Sequence, residues 1–521
     1  MSLLGAYPAQ AADSCFKTLA ATRNYTLGAP HAAVPTPDGR NVLFLRSGPR
    51  DTKLGLYLYA LDTGATRALA EPAAGPEHLS VQEKALRERT RMTLTGITDY
   101  ALSKDGKRVL VAQGPKLGMI DLPGGTTTPV PGDGWISPQL SPDGTAVAGV
   151  RDNDVHVVDL ASGKDTQLTT GGTDVVTHGL PDFAAAEEQE RADGLWWSPD
   201  GSKLLYEEAD STGVEKHFIA DPEHPQIAPV EFRYPRAGTA NAKLRFGIIP
   251  RAGGATTWID WDHDAYPYVA RVLWRKAGKL SLVLLNRPET KELMVAVDPE
   301  SGKTTPLLTE TDAAWLNITP EFDMASPGWK ALPYWLADGS GFLWAAERNG
   351  IWQLELHHAD GTLDHTITPR SLPYLALNDV DEKSGSVVVT LRPDRIDTGA
   401  YRIKLAGGDP VPLTDKPGLH VLQSGHDQHA ILLDSFLLAD GGAGTAVMDA
   451  SGKRLALLPS VAEQPPSLPD VEFLTVGKLQ LDARLQRPHN APPGARLPVI
   501  LSVYAGPGVK TVLRAPRIYF E

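Results

Sequence analysis

One turn recurs along this chain, each time just ahead of an apolar run with strand character. Pro37-Asp38-Gly39, Lys104-Asp105-Gly106, Pro142-Asp143-Gly144 and Pro199-Asp200-Gly201 lead into Asn41–Leu45, Arg108–Ala112, Ala146–Val150 and Lys203–Glu207. Proline presets the bend, Asp ties down nearby backbone N–H groups, and Gly takes a left-handed φ. Several units continue into a further strand closed by a D-x-x-S-G turn, as in Val155–Gly163 and Leu293–Gly302, or by the shorter Asp62-Thr63-Gly64. Weaker copies precede Phe342–Ala345 and Ser386–Leu391 and lie around Gln428–Leu433. Such four-strand units, each about 40–50 residues long, bury their faces only by stacking on one another, which predicts a β-propeller. The expected fold is mostly β: about eight blades over residues 36–460, followed by the first strands of a further, incomplete domain.

Composition agrees with this and closes other routes. The 49 Gly and 43 Pro of the 521 residues exceed ordinary usage of about 7% and 5% and suit many short elements. A net charge of −13 argues against a general nucleic-acid or anionic-membrane binder, since both need a positive footprint. A single cysteine, Cys15, removes a disulfide framework and any Cys-based zinc site. No apolar stretch reaches the 18 or so residues of a membrane-spanning helix. Residues 1–35 are expected to form an N-terminal segment, a possible signal-peptide remnant, packing on the side of the domain that follows the propeller. Within it Ala9-Gln10-Ala11 has the small-x-small look of a signal-peptidase site, without a basic flank or a long apolar stretch before it. That reading places the protein in the periplasm or outside the cell; an ordinary terminus, and the cytoplasm, is the alternative.

The turn spacing is uneven: 67 residues from Gly39 to Gly106, 38 from Gly106 to Gly144 and 57 from Gly144 to Gly201. The middle interval is a bare blade, so the first and third carry inserts, which in repeat folds sit on one face and often bind ligands. The first insert holds a helix-forming run, Val81–Arg91, opened by a Ser80/Glu83 capping box and carrying Arg87, Arg89 and Arg91. The second, Pro181–Trp197, reads as a short Ala-rich helix bearing Glu187 and Glu188, closed by Gly194 and anchored by Trp196 and Trp197. Two adjacent carboxylates suit a primary ammonium with its three donors, and an opposing arginine suits a carbonyl oxygen. Alternatively, Glu187 and Glu188 pair with Arg191 at i,i+4 and i,i+3 on a solvated helix, as Glu83 does with Arg87. His420, His426 and His429 with Asp427 match no standard ligand spacing, so no metal and no cofactor is expected.

Beyond residue 460 the pattern changes. Pro465, Pro466 and Pro469 form a linker, Val471–Val476 and Lys478–Leu485 read as a strand pair, and Leu497–Tyr504 reads as a buried strand ending in Ala505-Gly506-Pro507-Gly508. Residues 461–521 thus read as the start of an α/β domain. No G-x-S-x-G nucleophile elbow occurs, so the expectation is of a domain that is announced and not finished.

Four motifs in chain order carry a family resemblance. They are Leu86–Tyr100 (LRERTRMTLTGITDY); Asp182–Arg191 (DFAAAEEQER) with Gly194–Asp200 (GLWWSPD); Tyr234–Asn241 (YPRAGTAN); and Pro498–Pro507 (PVILSVYAGP). With them the chain resembles the dipeptidyl peptidase IV branch of the prolyl oligopeptidase family of serine peptidases, bacterial members and dipeptidyl peptidases 8 and 9 included. It departs at Ala242, where many relatives have proline. The resemblance implies an eight-bladed propeller capping an α/β-hydrolase domain, with Glu187 and Glu188 holding the free N-terminal ammonium of a peptide and Arg191 orienting them. Cleavage would then follow the second residue, usually Pro or Ala. No residue of this sequence is assigned to the family's Ser, Asp and His, so the chain is expected to end before its catalytic triad and to be inactive alone. Arg89 or Arg91 would hold a substrate carbonyl, and Tyr504 would stabilise the oxyanion. Partners implied are peptides with a free N-terminus, with a homodimer left open. A non-catalytic propeller module and an oligopeptide-cleaving or acyl-peptide-releasing relative are the alternatives.

Overall fold

The computed structural model describes residues 9–75, 77, 79, 81–89, 91–318, 330–425, 428–488, 492, 494–504 and 509–520. Ser80 of the expected capping box, and His426 and Asp427, lie outside them. The repeated turn joins the first and second strands of a unit rather than heading the unit. In the first, Thr36 Oγ1 donates to Asp38 Oδ1, which also accepts from Arg40 N, while Asn41 N donates to Thr36 Oγ1. Ser103/Asp105, Ser141/Asp143 and Ser198/Asp200 repeat the arrangement. The glycine after each aspartate has φ between 66° and 72°, the left-handed region in which a side chain is disfavoured.

Among the described residues eight antiparallel blades result, each following chain order: residues 31–70, 95–130, 136–167, 176–258, 268–311, 334–366, 374–412 and 418–457, the first two joined by a short parallel pairing of Lys53 and Leu54 with Thr95 and Gly96. We number them blades 1 to 8. The first strand begins at His31, ahead of the Pro37 turn that announces the blade in sequence. Blades bury both faces, so their strands read as continuous apolar runs. In Asn41–Arg46, Leu43 and Leu45 pack on Ile97 and Val109 of blade 2, while Val42 and Phe44 pack on Ile431 and Leu433 of blade 8. Equivalent clusters fill the remaining blade junctions, so the ring is closed.

The first strands of the blades are innermost. They line a central cavity of about 1060 Å³ bordered by Val34, Asp99, Gln139, Asp193 and Gln423. Among the described residues, blade 4 alone has this innermost strand in two pieces. Val176–His178 and Leu195–Trp197 pair with the same edge of Lys203–Asp210, opposite residues 208–210 and 204–206. Between them the chain leaves the sheet for residues 179–194, the insert that lengthened the third turn interval. The other insert, residues 71–94, links blade 1 to blade 2 and contains the helix Val81–Arg89.

After the ring, Val471–Val476 and Leu481–Gln486 form an antiparallel hairpin, the expected strand pair. Leu497–Tyr504 does not form the expected buried strand: Val499, Ile500, Leu501 and Val503 are each at least 80% exposed. A strand needs neighbours for its N–H and C=O groups, and none of the described residues pairs with this run. At the other end Tyr25 packs on Phe520, with ring centroids 5.4 Å apart. No helix among the described residues is long and apolar enough to cross a membrane.

Hydrogen bonds from Ser198 and Ser202 hold the Asp200 carboxyl at about 2, and those from Ser141 and Thr145 overcome partial burial to do the same at Asp143, both below the usual 3.8. Groups depressed in this way stabilise the fold fully above about pH 4, a contribution lost as pH falls towards 2. Urea unfolding followed by tryptophan fluorescence should therefore weaken through that window. The D143N/D200N double variant should weaken less steeply; an unchanged slope would assign the acid sensitivity to other carboxylates.

Candidate functional site

The excursion from blade 4 stands on two glycines that grip one residue. Gly179 N donates to the Glu207 carbonyl at 2.7 Å, and Glu207 N donates to the Gly194 carbonyl at 2.9 Å. A Cβ on Gly194 would lie 2.4 Å from the Leu180 carbonyl carbon, so this foot accepts only glycine. Asp182 N-caps the short helix Phe183–Glu187 through Ala184 N and Ala185 N. Its own N–H donates to Glu207 Oε1 at 2.8 Å.

Arg191 secures the far side of the excursion. Its side chain is 5% exposed and forms an ion pair with Glu207 Oε2 at 2.7 Å, with Asp182 Oδ1 at 3.7 Å, and donates to the Val269 and Asp193 carbonyls. Burial pushes the fully enclosed Glu207 carboxyl up to about 7 against the pull of Arg191. The expected pairing of Arg191 with Glu187 and Glu188 is therefore corrected. The helix ends at Glu187 and Glu190 takes φ 51°, so i,i+4 geometry is lost and the arginine turns inward to the buried acids.

Glu187 and Glu188 are left at the outer edge of this braced loop, half-buried and exposed respectively. Neither carboxylate has a hydrogen bond or an ion pair within 4 Å among the described residues. Arg89, from the helix Val81–Arg89, places its guanidinium 5.2 Å from the Phe183 ring centroid, and Phe183 meets Tyr234 edge-on at 5.0 Å. Burial lowers the Arg89 pKa, while Glu187 and Asp182 act to raise it, which puts Arg89 in the field of Glu187. Residues of three sequence motifs thus converge here. Arg87 is committed elsewhere, bridging Glu77 and Glu83 at 2.7 and 2.8 Å.

Two expected residues make no hydrogen bond, ion pair or ring contact with this group among the described residues. Arg91 follows the helix end with φ 52° and is exposed. Tyr504 is 63% exposed on the unpaired segment and makes no hydrogen bond or ring contact among the described residues. One residue is added: Glu289, at a turn of blade 5 with φ 53°, whose carboxyl is raised by burial and by the charge of Glu188. Asn286-Arg287-Pro288-Glu289 carries no motif that would have marked it. His420 and His429 do not gather around a metal: they pair separately with Asp434 and Asp379, each at 2.9 Å. No cluster of three metal-ligating residues occurs among the described residues.

The support is predicted to be separable from the surface it presents. Arg191→Leu strands two buried acids and should cost about 3–5 kcal/mol, whereas Glu187→Gln and Glu188→Gln should leave the melting temperature near that of the parent. Thermal unfolding of the three variants tests this; a mild Arg191→Leu would remove its bracing role.

Known proteins share this architecture. The model for the dipeptidyl peptidase IV (DPP IV) N-terminal region matches residues 117–436, more than half of the chain. A probable dipeptidyl-aminopeptidase B of Emericella nidulans is 24% identical over 428 residues, covering 75% of this chain and 46% of that protein. Dipeptidyl peptidase 4 of Trichophyton rubrum is 26% identical over 435 residues, covering 76% and 53%. Human dipeptidyl peptidase 8 is 26% identical over 302 residues, covering 46% and 34%. The chain spans about half the length of the fungal relatives it matches and about a third of the human one. The crystal structure of Porphyromonas gingivalis dipeptidyl peptidase 4 shares the fold with a TM-score of 0.75 at 21% identity, covering 96% of this chain and 70% of that one. The closed ring of eight blades and the family match agree: this chain belongs to the family of the dipeptidyl peptidase IV N-terminal region.

Proposed function

We propose that the chain is the substrate-recognition part of a serine-type dipeptidyl peptidase and captures the free N-terminus of a peptide at Glu187 and Glu188. The observation that carries this reading is the pair of unpartnered carboxylates on a loop braced by Arg191, Asp182 and Glu207. An ammonium entering there supplies the missing cation and gains charge-assisted hydrogen bonds. Glu289 adds negative potential from blade 5. Arg89, steadied against Phe183, is the donor for the first peptide carbonyl, in preference to Arg91. Fixing the terminus and that carbonyl together sets the register, so that a nucleophile at a fixed distance cuts after the second residue.

The organisation that goes with this reading is a recognition propeller over residues 36–460 and the start of an α/β-hydrolase domain over 461–521. Tyr504 is the proposed oxyanion donor, and the hydrolytic groups themselves are assigned to no residue of this sequence. Calorimetric titration with Ala-Pro-Ala and its N-acetylated form tests the reading. The free peptide should bind at least tenfold more tightly, and Glu187→Gln or Glu188→Gln should each cost about 1.5–3 kcal/mol, roughly 10–150-fold. Equal affinity for the two peptides would remove the ammonium socket.

Self-association is the second element of the proposal, favoured by one feature. The hairpin Lys216–Ile219/Val230–Arg233 leaves the body of blade 4 as a separate two-stranded sheet and exposes Phe218, Ile219 and Val230 by more than 60% each. Sedimentation velocity should show a dimer that Phe218→Asp/Val230→Asp converts to monomer. A monomeric parent protein would dismiss it.

A further inference from the structure

Glu292 is 6% exposed, yet its carboxyl has no ion pair within 4 Å and no hydrogen bond among the described residues. The reason lies in its register. It stands directly opposite Glu310 on the neighbouring strand of blade 5, where like charges repel. Glu310 is paired with Arg348, which also reaches Glu355 Oε2 at 3.1 Å, and Glu355 in turn meets His357 Nε2 at 2.9 Å. Arg271, the cation acting on Glu292, donates to the Gln189 and Ala270 carbonyls at 2.5 and 2.7 Å. Burial, with added repulsion from Glu310, consequently pushes the Glu292 carboxyl up to about 8 against the pull of Arg271.

This acid faces space. It lines a cavity of about 310 Å³ walled by Trp196, Trp344, Trp352, Tyr374 and Arg271. The cavity lies where the innermost strand of blade 6, Tyr334–Trp335, is two residues long, compared with six in blade 5 and eight in blade 7. Aromatic walls around a carboxyl that has no ion pair and only the pull of Arg271 from beyond 4 Å form a site for an organic cation; Asp193 and Lys330 also line it. The cavity also adjoins the loop described above: Glu190 and Arg191 line it, and Arg271 holds the carbonyl of Gln189, the residue after Glu188.

We infer that this cavity receives the lysine or arginine side chain of a peptide's first residue, with Glu292 as its counter-ion. The inference rests on the terminal ammonium being held at Glu187 and Glu188. That ammonium and the first side chain branch from one Cα, so a socket beside the glutamates meets the first side chain before any other. The flexible stem of lysine or arginine lies along the aromatic walls while its charged head meets Glu292.

The test titrates the full chain with Lys-Pro-Ala and norleucine-Pro-Ala, which differ in the terminal charge. The lysine peptide should bind about tenfold more tightly or better. In Glu292→Gln that advantage should vanish while the norleucine peptide keeps its affinity and the melting temperature does not fall. No lysine preference in the parent protein, or one that survives Glu292→Gln, overturns the inference. If neither peptide binds, the terminal-ammonium reading has failed separately, and n-butylguanidinium decides the cavity. Binding weakened by Glu292→Gln supports the cation site; binding indifferent to the change overturns it.

Discussion

Everything else in this molecule hangs on the packing of blade 8 against blade 1. Each blade takes its four strands from one continuous stretch of chain, so no shared strand latches the ring. Closure rests on Val42, Phe44 and Tyr59 meeting Ile431, Leu433 and Val447, where each buried aliphatic side chain contributes about 1.5–3 kcal/mol. Hydrogen bonds from Arg46 to the Pro459 carbonyl and from Val461 N to the Gly28 carbonyl cross the same seam. The innermost strands enclose a cavity only because this junction holds. The facing of blade 2 towards blade 4, and so of Arg89 towards Phe183, depends on it too.

Within the ring, the site depends on polar groups placed where an ordinary blade would be apolar. Glu207 sits at full burial in a strand of Leu and Tyr neighbours, and its side chain and backbone together hold Gly179, Asp182, Arg191 and Gly194. A buried acid of this kind costs stability when considered alone. Here it converts a sixteen-residue departure from the sheet into a rigid shelf, which is what a binding group needs from its support.

The turns were legible in the sequence because their chemistry is local. Ser141 and Asp143 meet each other two residues apart, and the glycine that follows takes a left-handed φ of 68° that disfavours a side chain. Two-sided burial made the strands legible as apolar runs, and the 57-residue interval exposed the insert before blade 4. Arg191 was misjudged because helix spacing suggested partners at i−3 and i−4, whereas its true partner, Glu207, is defined only once the strand after the insert is in place. Glu289 and Glu292 were invisible for the same reason: their significance comes from Glu188 and Glu310, across loops and strands. Arg89 and Arg91 differ by where the helix stops, which spacing alone left open. Leu497–Tyr504 has the composition of a strand, but composition supplies no partner.

The two feet of the blade 4 excursion have a consequence for how such a site arises. Because Gly179 and Gly194 both bond to the backbone of the single residue Glu207, the sheet edge is interrupted by the width of about one residue, however long the loop between. The loop is therefore a cassette. Removing it and bridging the gap would restore an unbroken inner strand from 176 to 197, and loops of other lengths and chemistries fit the same two footings. A propeller built this way can change what the loop presents without changing how it folds.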